Sequence, residues 1–200
     1  IDEALKFLAR KDPPTVPLGG GTVLNQPLDE EIAVVDLSYL GLEGLKKSVN
    51  TIQIGAVVKL QQLLEFNNLP LAIVKAIDHE ATFNLRQMGT VAGSLVASDG
   101  RSPFAVAMLA LDAQLTLLPS DDQVPLGEIL PLRAERLPHH LITKITIPIN
   151  VQLSYQYVAR SPADKPIVCV AVTQWPSGRT RVVLGGYGKS PLLAMDGPNA

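Results

Sequence analysis

Asn84-Leu-Arg-Gln-Met-Gly-Thr-Val-Ala-Gly-Ser-Leu-Val-Ala-Ser-Asp-Gly100 divides the chain into two unlike halves. It stands between two apolar helical patterns, Leu71–Ala81 and Pro103–Leu111. Its small residues, Gly89, Thr90, Ala92, Gly93, Ser94, Ala97, Ser98 and Gly100, let a backbone approach another surface closely and expose its N–H groups. A second small-residue loop, Leu18-Gly-Gly-Gly-Thr22, lies well upstream. Two such loops in one small domain suggest a bound polyanion, most simply the pyrophosphate of a dinucleotide.

Upstream of the stretch, elements are short and mixed. Ile1, Ala4, Leu5 and Leu8 have helical spacing, and Asp2 and Glu3 suit the positive end of that helix. Pro13-Pro14 stops it, and Thr15-Val-Pro-Leu18 is a strand running into the three glycines. Ala33–Leu37 and Thr51–Ile54 read as further strands. The first 55 residues therefore form a small α/β unit. Lys59–Phe66 and Leu71–Ala81 are helices separated by Asn67-Asn-Leu-Pro70.

Downstream, Ser102-Pro103 is a good helix start, with a hydroxyl N-cap and proline in the first turn. Phe104–Leu111 is apolar almost all round, so that helix is expected to be buried. Ala113–Leu118, Leu141–Ile149, Val151–Ala159, Ile167–Gln174 and Arg179–Leu184 follow as strands, the last two joined by a Trp175-Pro-Ser-Gly178 turn. Strands in succession without helices between them argue for an antiparallel sheet. The fold class is α+β, with a division near residue 55 into a small N-terminal subdomain and a larger one over 56–200. The tail beyond Gly185-Gly-Tyr-Gly-Lys-Ser-Pro191 shows no clear periodicity.

Composition excludes several function classes. A net charge of −2 without runs of like sign gives no electrostatic case for nucleic acid or an anionic membrane. No apolar run approaches the ~18 residues of a membrane span. The start, Ile1-Asp-Glu-Ala, lacks a basic region followed by an apolar one, and it lies inside a helical pattern, as in a chain trimmed from a longer one. The single cysteine, Cys169, sits in the apolar run Ile167–Val172 and reads as a buried strand residue. It allows no intrachain disulfide and no iron–sulfur cluster held by this chain alone, and a cytoplasmic setting is the expectation.

The chemistry-bearing candidates are loops. Consecutive N–H groups at Gly19–Gly21 can form an anion-binding concavity, to which Thr22 adds a hydroxyl. This is neither a G-x-G-x-x-G fingerprint nor a P-loop, and a glycine turn required by geometry alone would look the same. Gly89-Thr-Val-Ala-Gly-Ser94 offers similar donors, and a close-packed crossing would also explain it. Asp99 suits either a helix cap or a ligand hydroxyl; Arg86 suits either a phosphate or a surface ion pair. His79, His139 and His140 lack metal-ligand spacing, His139-His140 reading as a solvated turn, and no nucleophile–base arrangement is visible.

As an ensemble these motifs resemble the FAD-binding domain of the molybdenum hydroxylases, the flavin subunit or domain of xanthine dehydrogenase and carbon monoxide dehydrogenase relatives. That family carries A-G-G-T-x-L near its start, and Gly19-Gly-Gly-Thr-Val-Leu24 resembles it. Its central I-R-N-x-G-T-I-G-G-N/S-L-A-x-A-D-P-A-x-D/E-L-P is similar to Leu85-Arg-Gln-Met-Gly-Thr-Val-Ala-Gly-Ser-Leu-Val-Ala-Ser-Asp99. Ile54-Gly-Ala56, Met108–Ala113, Tyr155–Arg160 and Val183-Leu-Gly-Gly186 fall where the family has I-G-A, L-L-A-L-D-A, Y-x-K-x-x-R and A-L-G-G. The resemblance covers nearly the whole chain in order.

The resemblance implies a p-cresol methylhydroxylase-like FAD-binding fold, with FAD extended between a small α/β subdomain and a larger one built on antiparallel sheet. It assigns cofactor contacts to Gly19, Gly20, Gly21, Thr22, Val23 and Leu24, to Arg86, to Gly89, Thr90, Val91, Ala92, Gly93 and Ser94, and to Asp99. The flavin is expected to take electrons from a 2Fe-2S small subunit and pass them to NAD, a quinone or oxygen, while a molybdopterin-binding large subunit oxidises the substrate. The chain departs from the pattern at Ala92 (first glycine of G-G), Gly100 (proline of A-D-P), Pro103 (the acidic position) and Tyr157 (the strand lysine). The family's separate C-terminal domain has no counterpart in these residues. Those departures keep a second expectation open: a truncated or degenerate relative acting as a docking subunit without flavin. A binder of some other nucleotide or small ligand in the same cleft ranks last.

Overall fold

The computed structural model describes residues 1–25, 31–67, 69–161 and 164–198. Asn68, in the connection expected between two helices, lies outside them. The N-terminal part opens with α1 (Asp2–Leu8) and a parallel pair, β1 (Thr15–Leu18) and β2 (Ala33–Asp36), in register from Thr15 opposite Ala33 to Leu18 opposite Asp36. Leu8, Leu37 and Leu42 form a small core there with Val57 and Leu141. His139, in a left-handed conformation, places its ring Nδ1 2.7 Å from the Leu8 carbonyl. The turn expected at His139-His140 thus fastens α1 to the body.

β3 (Leu45–Lys47) and β4 (Thr51–Gly55) follow, then α2 (Leu60–Leu64), α3 (Leu71–Glu80), α4 (Phe83–Met88), α5 (Val91–Val96) and α6 (Pro103–Ala110). β5 (Gln114–Leu118) and β6 (Asp122–Pro125) make a hairpin, with Asp121 at positive φ in its turn. The short helices α7 (Leu126–Ile129) and α8 (Arg133–Arg136) lead into β7 (Leu141–Pro148) and β8 (Gln152–Val158). β9 (Val168–Gln174), β10 (Arg179–Gly185) and β11 (Leu192–Pro198) complete the chain.

The antiparallel strands divide into two sheets. One has five strands in the order β3-β4-β7-β5-β6; the other has four, in the order β11-β10-β9-β8. β3 and β4 precede residue 55 yet hydrogen-bond into the five-stranded sheet through β7, so the parallel pair β1–β2 is what stands apart. β11 pairs with β10 across a bulge at Val182/Val183, giving structure to a tail whose sequence has no alternation.

α6 is the centre of the molecule. All eight of its residues are buried, from Pro103 to Ala110, as a sequence apolar on every side requires. It packs on α3, α5 and α7 and on the inner face of β9, β10 and β11. Ser102 caps it, its hydroxyl accepting the Ala105 N–H at 3.1 Å. Glu80, the last residue of α3, accepts from the Ser102 hydroxyl at 2.6 Å and the Phe104 N–H at 3.0 Å. A carboxylate at the positive end of a helix is favourable, although burial raises its pKa. Two ion pairs tie the other end to the sheet through Asp112, which meets Arg181 and, at 2.9 Å, Arg179. Among the described residues, no helix is long and apolar enough to cross a membrane.

Candidate functional site

The two small-residue loops meet. Glycine is required at the contact: a Cβ on Gly20 would stand 2.0 Å from the Met88 carbonyl oxygen, and one on Gly19 2.8 Å from Thr90 Oγ1. Gly21 follows at φ +67°, a left-handed turn that glycine adopts without strain. Leu18 hands the chain from β1 into this turn, its carbonyl accepting the Leu37 N–H at 3.0 Å. Beyond it, among the described residues, the N–H groups of Gly19, Gly20 and Gly21 donate to no protein acceptor. Thr22 and Leu24 are partly buried beside them, and Val23 is exposed.

The second loop is more structured than its composition suggests. Residues 83–88 and 91–96 are the helices α4 and α5, separated by Gly89 and Thr90. Thr90 caps α5, its Oγ1 accepting the Gly93 N–H at 3.1 Å. Val91 N–H donates to Val58 O at 2.8 Å, Ala92 N–H to Ala56 O at 3.2 Å, and Ser94 N–H to Thr90 O at 2.8 Å. Those N–H groups therefore serve the fold, leaving the Thr90 N–H and hydroxyl proton as donors on this side. Ala92 lies inside a helix, so its methyl meets no positive-φ demand.

The donor set so assembled is the three glycine N–H groups, the Thr90 N–H and two threonine hydroxyls. Neither loop carries a carboxylate. Several neighbouring donors without protein acceptors or a competing acidic group suit a phosphate or pyrophosphate. This is the geometric test for a dinucleotide cofactor, and the residues present fit it.

Arg86 is engaged elsewhere. Its guanidinium donates to Gln61 Oε1 at 3.1 Å and Ala81 O at 2.9 Å and pairs with Asp78 at 3.1 Å, which fixes α4 against α2 and α3. Asp99 sits in the turn after α5, where its carboxylate accepts the Arg101 N–H at 2.8 Å and Lys165 Nζ at 3.1 Å. Partial burial raises its pKa, but the Arg101 N–H bond and Lys165 outweigh that and hold it below the usual value.

The Asp99 turn is also a junction of four segments. Gly100 donates its N–H to Gly188 O at 2.9 Å and accepts the Gly186 N–H at 2.7 Å. A Cβ on Gly100 would fall 1.9 Å from the Tyr187 oxygen. Arg101 donates to Pro166 O through Nε at 3.1 Å and Nη2 at 3.0 Å. One Nη2 of Arg133 reaches Ser98 O and Lys189 O, each at 2.7 Å. Beside this junction opens a groove of about 480 Å³ lined by Arg101, Arg160, Asp164, Lys165, Ile167 and Gly186. Arg160 and Gly186 lie in quoted motifs; Arg101, Arg133 and Lys165 have no sequence signal, because their partners are main-chain carbonyls or a residue 66 positions away.

No group of three His, Cys, Asp or Glu residues that could hold a metal exists among the described residues. Cys169 is buried in β9, and burial pushes its thiol up to about 11.

The chain is similar to several known proteins. The 6-hydroxypseudooxynicotine dehydrogenase complex subunit alpha of Paenarthrobacter nicotinovorans is 30% identical over 220 residues, covering 100% of this chain and 74% of that one. The glyceraldehyde dehydrogenase medium chain of Sulfolobus acidocaldarius is 26% identical, covering 98% and 76%. Quinoline 2-oxidoreductase from Pseudomonas putida 86 shares the fold at a TM-score of 0.79 and 20% identity, over 98% of this chain and 74% of that one. Carbon monoxide dehydrogenase from Hydrogenophaga pseudoflava does so at 0.79 and 19%, over 96% and 74%. The family described as the FAD binding domain in molybdopterin dehydrogenase matches residues 1–150, three-quarters of the chain, and the chain belongs to that FAD-binding family.

Proposed function

We propose that the chain is the flavin-carrying, electron-transferring component of a molybdopterin-dependent dehydrogenase complex. The observation that carries this is the contact of the two loops, which sets the unused N–H groups of Gly19–Gly21 in the loop beside the Thr90 cap. Those donors and the two threonine hydroxyls would hold the pyrophosphate of FAD. α5, six residues long, spans about 9 Å at ~1.5 Å per residue. The Asp99 turn and its groove therefore lie one short helix away, within reach of an extended dinucleotide, and on this reading they receive its ring end. Asp99 is suited to accept a hydrogen bond from a cofactor hydroxyl, and Ile167 offers an apolar wall. When bound, FAD would accept electrons in pairs or singly and release them to a second acceptor.

Two of the relatives are named as a medium chain and a complex subunit, which supports a multisubunit setting. Membership of the family implies a 2Fe-2S small subunit and a molybdopterin-binding large subunit as the proposed partners, in the cytoplasm; with one buried cysteine, this chain cannot ligate an iron–sulfur cluster alone. NAD, a quinone or oxygen would take the electrons. The test is direct: purified protein, supplied with FAD and desalted, is expected to stay yellow with a flavin absorbance band. A preparation that stays colourless and titrates no FAD overturns the reading in favour of a flavin-free docking subunit.

A further inference from the structure

The groove at the Asp99 turn has an unusual charge arrangement for an exposed concavity. Arg101, Arg160 and Lys165 line it, against Asp164 on its wall and Asp99 beside it. Lys165 is offset by Asp99, while the Arg101 guanidinium hydrogen-bonds only to main-chain carbonyls. Arg160 has neither an ion pair nor a hydrogen bond among the described residues. Glu80, the next carboxylate inward, is turned toward Ser102 and Phe104. A concave site with three cations against two carboxylates favours whichever form of a ligand carries more negative charge.

We propose that this groove discriminates by charge between the redox states of its cofactor, holding reduced FAD more tightly than oxidised FAD, with Arg160 as a determinant of the preference. This rests on the FAD reading above. The oxidised ring system is uncharged. Two-electron, one-proton reduction would leave it with one extra negative charge in mildly alkaline buffer, and a ring end held in this groove would then be attracted by Arg101, Arg160 and Lys165. By linkage, tighter binding of the reduced form raises the reduction potential of the bound cofactor by the corresponding amount. A flavin so biased is suited to receive electrons from iron–sulfur clusters.

The experiment compares the dissociation constants of oxidised FAD and dithionite-reduced FAD in mildly alkaline, low-salt, anaerobic buffer, and the midpoint potential of the bound flavin. The ratio of oxidised to reduced constants is expected to exceed one in the native protein. In R160Q the ratio is expected to fall about three- to tenfold, the range for one partly screened charge near the ring. It falls further in R160Q/K165Q, with a matching drop in potential. R160K, which keeps the charge and changes the shape, is expected to restore the native ratio. An unchanged ratio in both R160Q and R160Q/K165Q, with FAD still bound, overturns this inference and leaves the FAD reading standing. Failure of the native protein to bind FAD in either state overturns both.

Discussion

Replacing Gly20 with alanine isolates the contact on which the cofactor site depends. The added Cβ would lie 2.0 Å from Met88 O, 2.8 Å from Met88 C and 3.3 Å from Gly89 Cα. All three are main-chain atoms, so no side chain can swing aside; the loops must separate by more than an ångström to reach ordinary contact. Overpacking of this kind costs about 1–3 kcal/mol. In a chain of this size that corresponds to a fall in Tm of roughly 2–12 °C. Separation also moves the Gly19–Gly21 donors away from Thr90. Loss of one charge-assisted hydrogen bond, about 1.5–3 kcal/mol, weakens FAD binding about 10- to 150-fold. Thermal unfolding followed by circular dichroism gives the first quantity and titration of the apoprotein with FAD the second. Gly44→Ala is the control, because nothing lies within 4 Å of a Cβ there. An FAD affinity for Gly20→Ala within twofold of the native value, with Tm unmoved, would refute the reasoning.

Other outcomes follow from the same physics. Phe104→Ala removes the largest fully buried side chain of α6 and is expected to destabilise by about 3–5 kcal/mol in urea unfolding; a loss under 1 kcal/mol would contradict the central place given to that helix. The hydrogen bonds of Arg179 hold the Asp196 carboxyl below its ordinary value of 3.8 despite partial burial. A depressed carboxylate stabilises above its unfolded pKa and loses that contribution as pH falls through the folded one, so Asp196→Asn is expected to flatten the acid limb of a stability–pH curve; an unchanged limb would argue against the pair. Burial acts oppositely on Glu80, whose raised pKa makes its stabilising contribution complete below about 4.5 and lost as pH rises through the folded value. Glu80→Gln is therefore expected to match or exceed native stability at neutral pH, because both helix-end bonds go to one oxygen that an amide carbonyl can replace. Glu80→Ala is expected to lose about 1–2 kcal/mol. Equal losses in both variants would show that the charge itself is required.

The sequence made the buried and alternating elements visible. α3, α6 and β7 to β10 fall within a few residues of where periodicity predicts them, because each has a core face defined by its own residues. α4 and α5 were hidden, since Gly89, Thr90, Gly93 and Ser94 read as loop, and a threonine cap with short-range bonds overrides that propensity. β11 was hidden because Leu192–Met195 is apolar at consecutive positions and owes its strand to pairing with β10. One antiparallel sheet was anticipated where two exist; their separation depends on α6 lying between α5 and β9–β10, which no local pattern encodes. At the site, the two loops and Asp99 were legible from composition and family order. Their mutual contact was not, nor was the direction of the Val91 and Ala92 N–H groups, which depends on the carbonyls of Val58 and Ala56.

The junction at Gly100 bears on how this lineage is free to change. Its bonds to Gly186 and Gly188 are made by main-chain atoms at both ends, and the facing loop answers with glycines at positive φ, +155° at Gly186 and +84° at Gly188. Tyr187, whose side chain is exposed, can change while the turn keeps its shape. Gly100 itself cannot revert to the proline of the family pattern: proline has no N–H for Gly188, and its Cβ would collide with the Tyr187 carbonyl. Gly100 and the Gly186–Gly188 loop are therefore coupled: proline at 100 can be accommodated only with a facing loop of different shape.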